Sequence, residues 1–533
     1  MRARASGLIL RSTNGVAVAA ALVCGLALVQ ATHAQQPRTL VVAAAQTPTG
    51  FDGDLPKVAT RQMVTQTYEG LVRYKRVKGA DGRTTLDPAE VEGHYAESWT
   101  VSPDGRTYTF KLRPNIKSPF GNELTADDLV WSWDRAWAIK RTSFFLYNLA
   151  GVERWEKLGK YEFRLHLKNP SVILLPMLTM YFPQIHDSTE AKKHAASDDQ
   201  WANKHLDQNL VGFGAYSLQS VKPGEQAVLV ANPNYFRGKP YYERVIYREV
   251  PSVANRVSLL KTGQVQWIEE LPLKQIADLK KDRSVKVESV VGTQPATVRM
   301  NPNLKPYDNP KLREAVALAV DYNAINQSVF EGLGTRVKSI VPPTVPDAVP
   351  ALTVERNVER AKALLKEAGY PNGVDLTLNY AGTYWWMEPL AIQFKNSAAD
   401  AGIRVNLQRL PDPEFVQRGL IVKRDMPLFT AGDATFVLDP VFTAWIFGFS
   451  QGVANRNHYR NDSFDKVSLE SLRETDLKKR SIMVKQLQVM HAADHSWVMG
   501  FYPGIHQAMN RCISGWIWNP DDWPRFWDLR CDR

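Results

Sequence analysis

The sequence predicts an α/β fold made of two or three domains. Three observations carry this. The chain has 533 residues, more than one hydrophobic core usually organises. Leu376–Tyr380, a helix, and Ala401-Gly402-Ile403-Arg404-Val405 make a strand–helix–strand unit of the kind that builds α/β lobes. The stretch Tyr95–Trp137 passes from two-residue to four-residue apolar periodicity, so a hairpin there runs into a helix.

The N-terminus is a separate segment. Arg2, Arg4 and Arg11 precede an apolar run from Val16 to Val29, and Thr32-His33-Ala34 is a small-x-small cleavage site before Gln35. Residues 1–34 therefore read as a secretory signal peptide, and Cys24 lacks the surroundings of a lipoprotein site. Cleavage removes three arginines and no acid, leaving 63 basic against 55 acidic residues. No Lys/Arg run tracks phosphates, so a nucleic-acid partner is not expected. The remaining cysteines, Cys512 and Cys531, suit a disulfide in an oxidising compartment, with two thiols as the alternative.

The elements follow in order. Arg38–Ala43 is a first strand, Gln46–Asp54 a loop broken by Pro48, Gly50 and Gly53, and Val58–Gly70 a helix. In the hairpin, Trp99 and Val101 alternate with polar neighbours, Pro103-Asp104-Gly105 turns, and Tyr108, Phe110 and Leu112 alternate on the return. Thr125 caps the next helix with Asp128 at the capping-box position, and Leu129, Trp133 and Trp137 form its apolar face. Tyr161–Leu167 alternates as a strand, Val172–Met180 is a short apolar helix, and His186–Asp207 is polar and expected at the surface. Val211–Tyr216 turns into a strand–turn–strand–helix block that stops at Gly263. Pro310 opens a helix with Leu312, Ala315, Val316 and Ala319 on its buried stripe, and Glu355–Gly369 is another.

The literal wording adds to these patterns. SPDGRTYTFKLR followed by LTADDLVWSWDRA resembles the peptide/nickel family of extracellular solute-binding proteins, the ligand-capturing components of ABC importers. Tyr68-Glu69-Gly70-Leu71, Val211–Tyr216 and Asn301–Asp321 resemble further elements of that family, over about Leu40 to Trp518. The resemblance implies a periplasmic-binding-protein fold of two α/β lobes joined by crossover segments, with a hairpin-and-helix subdomain inserted in the first. The implied division is residues 39–71 and 211–291 for the first lobe, 72–210 for the insert, 292–494 for the second lobe, and 495–533 returning to the first. Ligand then binds between the lobes and closes them, and closure signals the inner-membrane permease. The implied protein is a periplasmic monomer with no cofactor, and a short peptide is its default ligand.

Candidate chemistry agrees with a binder. No G-x-S-x-G elbow, H-E-x-x-H or Gly-rich phosphate loop occurs. A secreted hydrolase of peptides or glycans is the runner-up, and an oligosaccharide, opine or metal chelate is the alternative ligand. His491 and His495 share a helix face, but a third ligand is not evident, so packing roles are expected. Tyr384-Trp385-Trp386 follows a strand end, where α/β lobes present a crevice, and is either a cleft platform or a packing cluster. Peptide-binding relatives carry Gly-Trp at a strand end, then an acid that binds the ligand's ammonium. By that resemblance Asp433 is the first acid, Asp439-Pro440 the second at a longer spacing, and Thr430 stands where Trp is usual. Turn or helix capping is the structural alternative for the acids. Arg299 shares a strand face with Thr297 and Asn301, and would bind a ligand carboxylate or pair with a nearby acid.

Overall fold

The computed structural model describes residues 38–55, 57, 60–79, 81–181, 184–419 and 423–532. The expected signal peptide and the start of the expected Val58–Gly70 helix lie outside them.

Two sheets define two lobes. The first has seven strands, in the order Val285–Val290, Ile505–Asn510, Trp267–Ile268, Thr39–Ala44, Arg244–Glu249, Gln226–Ala231, Tyr216–Lys222. Thr39–Ala44 lies at its centre, parallel to both neighbours, which is why Leu40, Val42, Ala43 and Ala44 are all buried. The second has six strands, in the order Thr335–Arg336, Trp497–Tyr502, Ala296–Met300, Leu428–Ala431, Val374–Tyr380, Ile403–Arg409. The last two are parallel and joined through the helix Met387–Ala399, the strand–helix–strand unit read from the sequence. The expected boundary at residue 495 falls too early. Trp497–Tyr502 pairs with Ala296–Met300 and Thr335–Arg336 of the second sheet, and the chain returns to the first only at Ile505.

The chain thus crosses between lobes twice, between Val290 and Ala296 and between Tyr502 and Ile505. Both crossings contain a glycine in the left-handed region, Gly292 at φ 72° and Gly504 at 83°. A side chain at either would be strained, so both changes of direction depend on glycine.

The segment between Thr39–Ala44 and Tyr216–Lys222, successive strands of the first sheet in chain order, carries a sheet of its own. Ala96–Val101, Thr107–Leu112, Glu162–Leu167 and Val152–Gly159 form an antiparallel sheet in that order. The helix Ala126–Ile139 covers it, started by a complete Thr125/Asp128 capping box. Its buried Trp133 stacks on Tyr147 at 4.4 Å and meets Phe163 of the sheet at 5.0 Å. Arg135 on the same helix binds Asp52 and Asp54 of the first loop at 2.5 and 3.3 Å, tying the insert to the first lobe.

The expectation of a surface segment over His186–Asp207 holds for residues 192–198, which are exposed, and fails at its start. His186, Asp187 and Ser188 are buried. Asp187 caps the short helix Ser188–Lys192 and accepts hydrogen bonds from Ser118 and Asn122, so its polarity is satisfied inside. The apolar stretch 172–180 forms only one helical turn, Leu174–Met177.

Candidate functional site

The site begins at the strand Leu428–Ala431, which is buried throughout and flanked by Ala296–Met300 and Val374–Tyr380. A central strand is wrapped on both faces, so its end is the first point at which the chain can meet solvent. There stand Gly432 and Asp433. A Cβ on Gly432 would come within 2.6 Å of the Trp386 ring and 2.9 Å of the Pro295 carbonyl, so the ring lies where only glycine leaves room. Tyr384 stacks on Trp386 with centroids 5.5 Å apart and planes 5° from parallel. Burial, then the Asp433 charge, pushes the Tyr384 phenol up.

Asp433 is held from two sides. Arg456 Nε donates to its carboxylate oxygens at 2.7 and 2.8 Å, Nη2 lies 2.5 Å away, and Arg299 Nη1 lies 3.2 Å from Oδ2. Burial would raise this carboxyl, but Arg456 and Arg299 outweigh it and hold Asp433 below the usual range. Arg299 is fully buried. Its guanidinium lies 3.8 Å from the Trp497 ring centroid, and donates to the Ala454 carbonyl and to Thr297 Oγ1. Burial brings its pKa down to about 10, which still leaves it charged at neutral pH. Arg299 is therefore paired with Asp433, the intramolecular alternative the sequence left open, and has no exposed surface.

The other candidates separate. Asp439 is buried and caps the helix Pro440–Gly448, accepting from the Phe442 amide at 2.9 Å. Burial pushes its carboxyl up. It acts as the capping alternative, because Pro440 at the first helical position leaves the next free amides directed at it. Thr430 is buried within the central strand. Trp385 is half exposed and turns its ring to Phe330, away from the Tyr384–Trp386 stack. His491 packs on Trp497 and Tyr459 at 5.1 and 4.9 Å, and burial with the Arg299 charge brings it down to about 3. Among the described residues, no three His, Cys, Asp or Glu side chains are grouped to hold a metal.

The opposite wall belongs to the first lobe and was missed in the sequence. The helix Thr60–Thr67 places Arg61 5.4 Å over the Phe436 ring of the second lobe. The Arg61 charge also acts on Tyr384, Tyr181 and Asp522. Gln294, in the first crossing, donates to the Gly432 carbonyl at 3.3 Å. Trp518 Nε1 donates to Asp522 Oδ1 at 2.8 Å. Burial, then the neighbouring Asp521 charge, raises the Asp522 carboxyl to about 7 against the Trp518 bond and Arg61. Deeper in the first lobe, burial raises Glu269 to about 7, and Tyr247 donates to it at 2.5 Å. Arg61, Gln294, Tyr384, Asp433, Phe436, Arg456, Trp518 and Asp522 are all half-buried. Half-burial of residues from both lobes and a crossing is what a cleft lining gives.

The model of bacterial extracellular solute-binding proteins, family 5 Middle, matches residues 90–455. The chain belongs to that family. Among family 5 relatives, it is 28% identical over 508 residues to the probable D,D-dipeptide-binding periplasmic protein DdpA of Escherichia coli strain K12, covering 93% of this chain and 95% of the relative. It is 26% identical over 539 residues to heme-binding protein A of Haemophilus influenzae, covering 93% and 92%. In fold it is similar to the periplasmic binding protein DppA of Helicobacter pylori, solved with the peptide STSA, at a TM-score of 0.78 and 23% identity over 94% of this chain and 99% of that one. The family 5 match spans most of the insert, the first-lobe segment 211–291 and the second lobe up to Asn455, one residue short of Arg456.

Proposed function

We propose that this family 5 protein is a periplasmic receptor that encloses a short peptide between its two lobes and presents it to an ABC permease. The observation that carries the reading is the half-buried lining at the lobe junction. It combines aromatic faces (Tyr384, Phe436, Trp518) with groups able to bear either charge (Arg61, Arg456, Asp522). A short peptide offers the matching parts: a cationic end, an anionic end and apolar side chains between them. A pocket with few polar groups on an apolar wall orients such a ligand and excludes water from it.

DdpA, named for binding a D,D-dipeptide, supports a peptide, whereas the name of heme-binding protein A shows that close sequence likeness accompanies other cargo. A catalytic role has no support in a family of solute-binding proteins. Export through a cleaved signal peptide, monomeric state and permease contact belong to the same proposal.

Native mass spectrometry of protein recovered from the periplasm without refolding tests it. The expected spectrum carries an added mass that leaves on denaturation and fragments as a peptide. An added mass that fragments as a sugar, opine, haem or metal chelate overturns the peptide reading and keeps the receptor.

A further inference from the structure

Asp433 is the acid that the family resemblance marks for the ligand's ammonium group, but its surroundings oppose that role. Arg456 and Arg299 place two positive charges against one negative. Both carboxylate oxygens already accept from a guanidinium. An ammonium arriving there meets a cluster of net charge +1 with its acceptors occupied, and like charges in a dehydrated cleft repel strongly.

Asp522 has the opposite arrangement. One oxygen, Oδ1, accepts from the Trp518 indole, and Oδ2 has no hydrogen-bond partner among the described residues. Its neighbour Asp521 is taken by Arg525 Nη2 at 2.5 Å, so the two adjacent acids are not equivalent. The backbone of Asp522 sits in the left-handed region at φ 68°, fixed by the turn bond from its amide to the Asn519 carbonyl. That conformation is uncommon outside glycine and persists where surroundings impose it. The residue also lies at the junction. A Cβ on Gly292, in the first crossing, would stand 3.8 Å from Asp522 Oδ1, and the Arg61 that acts on Asp522 also covers Phe436 of the second lobe.

We propose that Asp522, on the C-terminal tail of the first lobe, and not Asp433, is the carboxylate that receives the ligand's cationic end. This rests on the peptide reading above. Asp433 then works as an internal tie that fixes Arg456 at the cleft wall. Burial raises the Asp522 carboxyl to about 7, and an ammonium beside it favours the charged form and takes the open acceptor at Oδ2.

The test is titration calorimetry of the exported protein with a set of synthetic di- to tetrapeptides and the same set N-acetylated. Wild type is expected to bind the free-amine set about tenfold or more tightly than the acetylated one. Asp522→Asn is expected to erase that preference while leaving the acetylated peptides within about twofold. Asparagine keeps an acceptor for Trp518 and tolerates the left-handed backbone, so an unchanged melting temperature separates recognition from folding. Asp433→Asn, which leaves Arg299 and Arg456 without a counter-charge, is expected to melt earlier but, measured below its melting temperature, to keep the preference. Retention of the preference in Asp522→Asn, or its loss in Asp433→Asn alone, overturns the proposal. Equal binding of both sets by wild type overturns it and leaves the peptide reading intact. No binding of either set overturns the peptide reading as well.

Discussion

Arg299, opposite Phe429 in the antiparallel pair of Ala296–Met300 with Leu428–Ala431, holds Asp433 two residues beyond the end of the second strand, with Nη1 3.2 Å from Oδ2. The arginine has no exposed surface and rests on Trp497, so its half of the pair belongs to the second lobe's interior, while Asp433 stays half-buried.

Removing one member of such a pair leaves the other buried without its counter-charge. Arg299→Ala should therefore destabilise the protein by about 3–5 kcal/mol. The loss should appear in urea unfolding whether or not ligand is present. An Arg299→Ala protein with parental stability and weakened binding would return Arg299 to the ligand.

Asp439 caps the helix Pro440–Gly448 from a buried position. Asp439→Ala should cost about 0.5–2 kcal/mol of stability, and Asp439→Asn less, because asparagine caps equally well. Ligand affinity should be unchanged in both, as read by calorimetry.

Glu269 gives a pH dependence with a definite sign. Its carboxyl has a folded-state pKa near 7 against 4.5 for an ordinary glutamate, because burial, followed by the neighbouring Glu270, outweighs the Tyr247 and Gln62 bonds and the Arg256 charge. Between those values the folded state holds the proton that the unfolded chain has released. Stability from this group is therefore full below about pH 4.5 and is lost as pH rises through 7. Glu269→Gln should flatten that part of the profile, by an amount on the order of 3 kcal/mol. Parallel melting curves for parent and variant from pH 5 to about 8 would show that Glu269 does not titrate in this window.

Cys512 and Cys531 form a disulfide. The loop it closes contains Trp518 and Asp522, and the short ladder Ile513–Ser514 with Arg530–Cys531 lies beside the bond. A loop of this size should contribute roughly 3 kcal/mol through restriction of the unfolded chain. Thiol labelling of denatured, unreduced protein should find no free cysteine. Cys512→Ser/Cys531→Ser should melt earlier and bind ligand more weakly, since the tail that carries Asp522 loses its anchor.

Much of the fold was legible because it is written in local periodicity. The Pro103-Asp104-Gly105 turn, the Thr125/Asp128 capping box and the strand–helix–strand unit from Val374 to Arg409 depend on neighbours within a few residues. The boundary near residue 495 was not legible in this way. Trp497–Tyr502 is apolar enough for either sheet, and its place was decided by hydrogen bonds to Ala296–Met300, about two hundred residues earlier.

Within the site, the sequence expected Asp433 near Tyr384, Trp385 and Trp386; Tyr384 stacks on Trp386, whose ring abuts Gly432, and the Asp433 charge acts on Tyr384, while Trp385 turns to Phe330. It assigned Asp433 by motif and so counted its charge as available. Arg456 carries no local mark in GVANRNHYR, and Asp522 none in NPDDW. Their roles depend on contacts over 23 residues in one case and on the return of the tail to the lobe junction in the other.

The sequence alone determined the family, the two kinds of lobe element, the caps and the crevice-facing strand end, because each follows from residue type and short spacing. Only the tertiary structure decided which charges are free. A carboxylate's availability depends on which guanidinium the fold delivers to it, and on how much water remains around it. Neither quantity is a property of neighbouring residues, and for that reason the sequence did not show that Asp433 is paired with two arginines while Asp522 accepts only from Trp518 among the described residues.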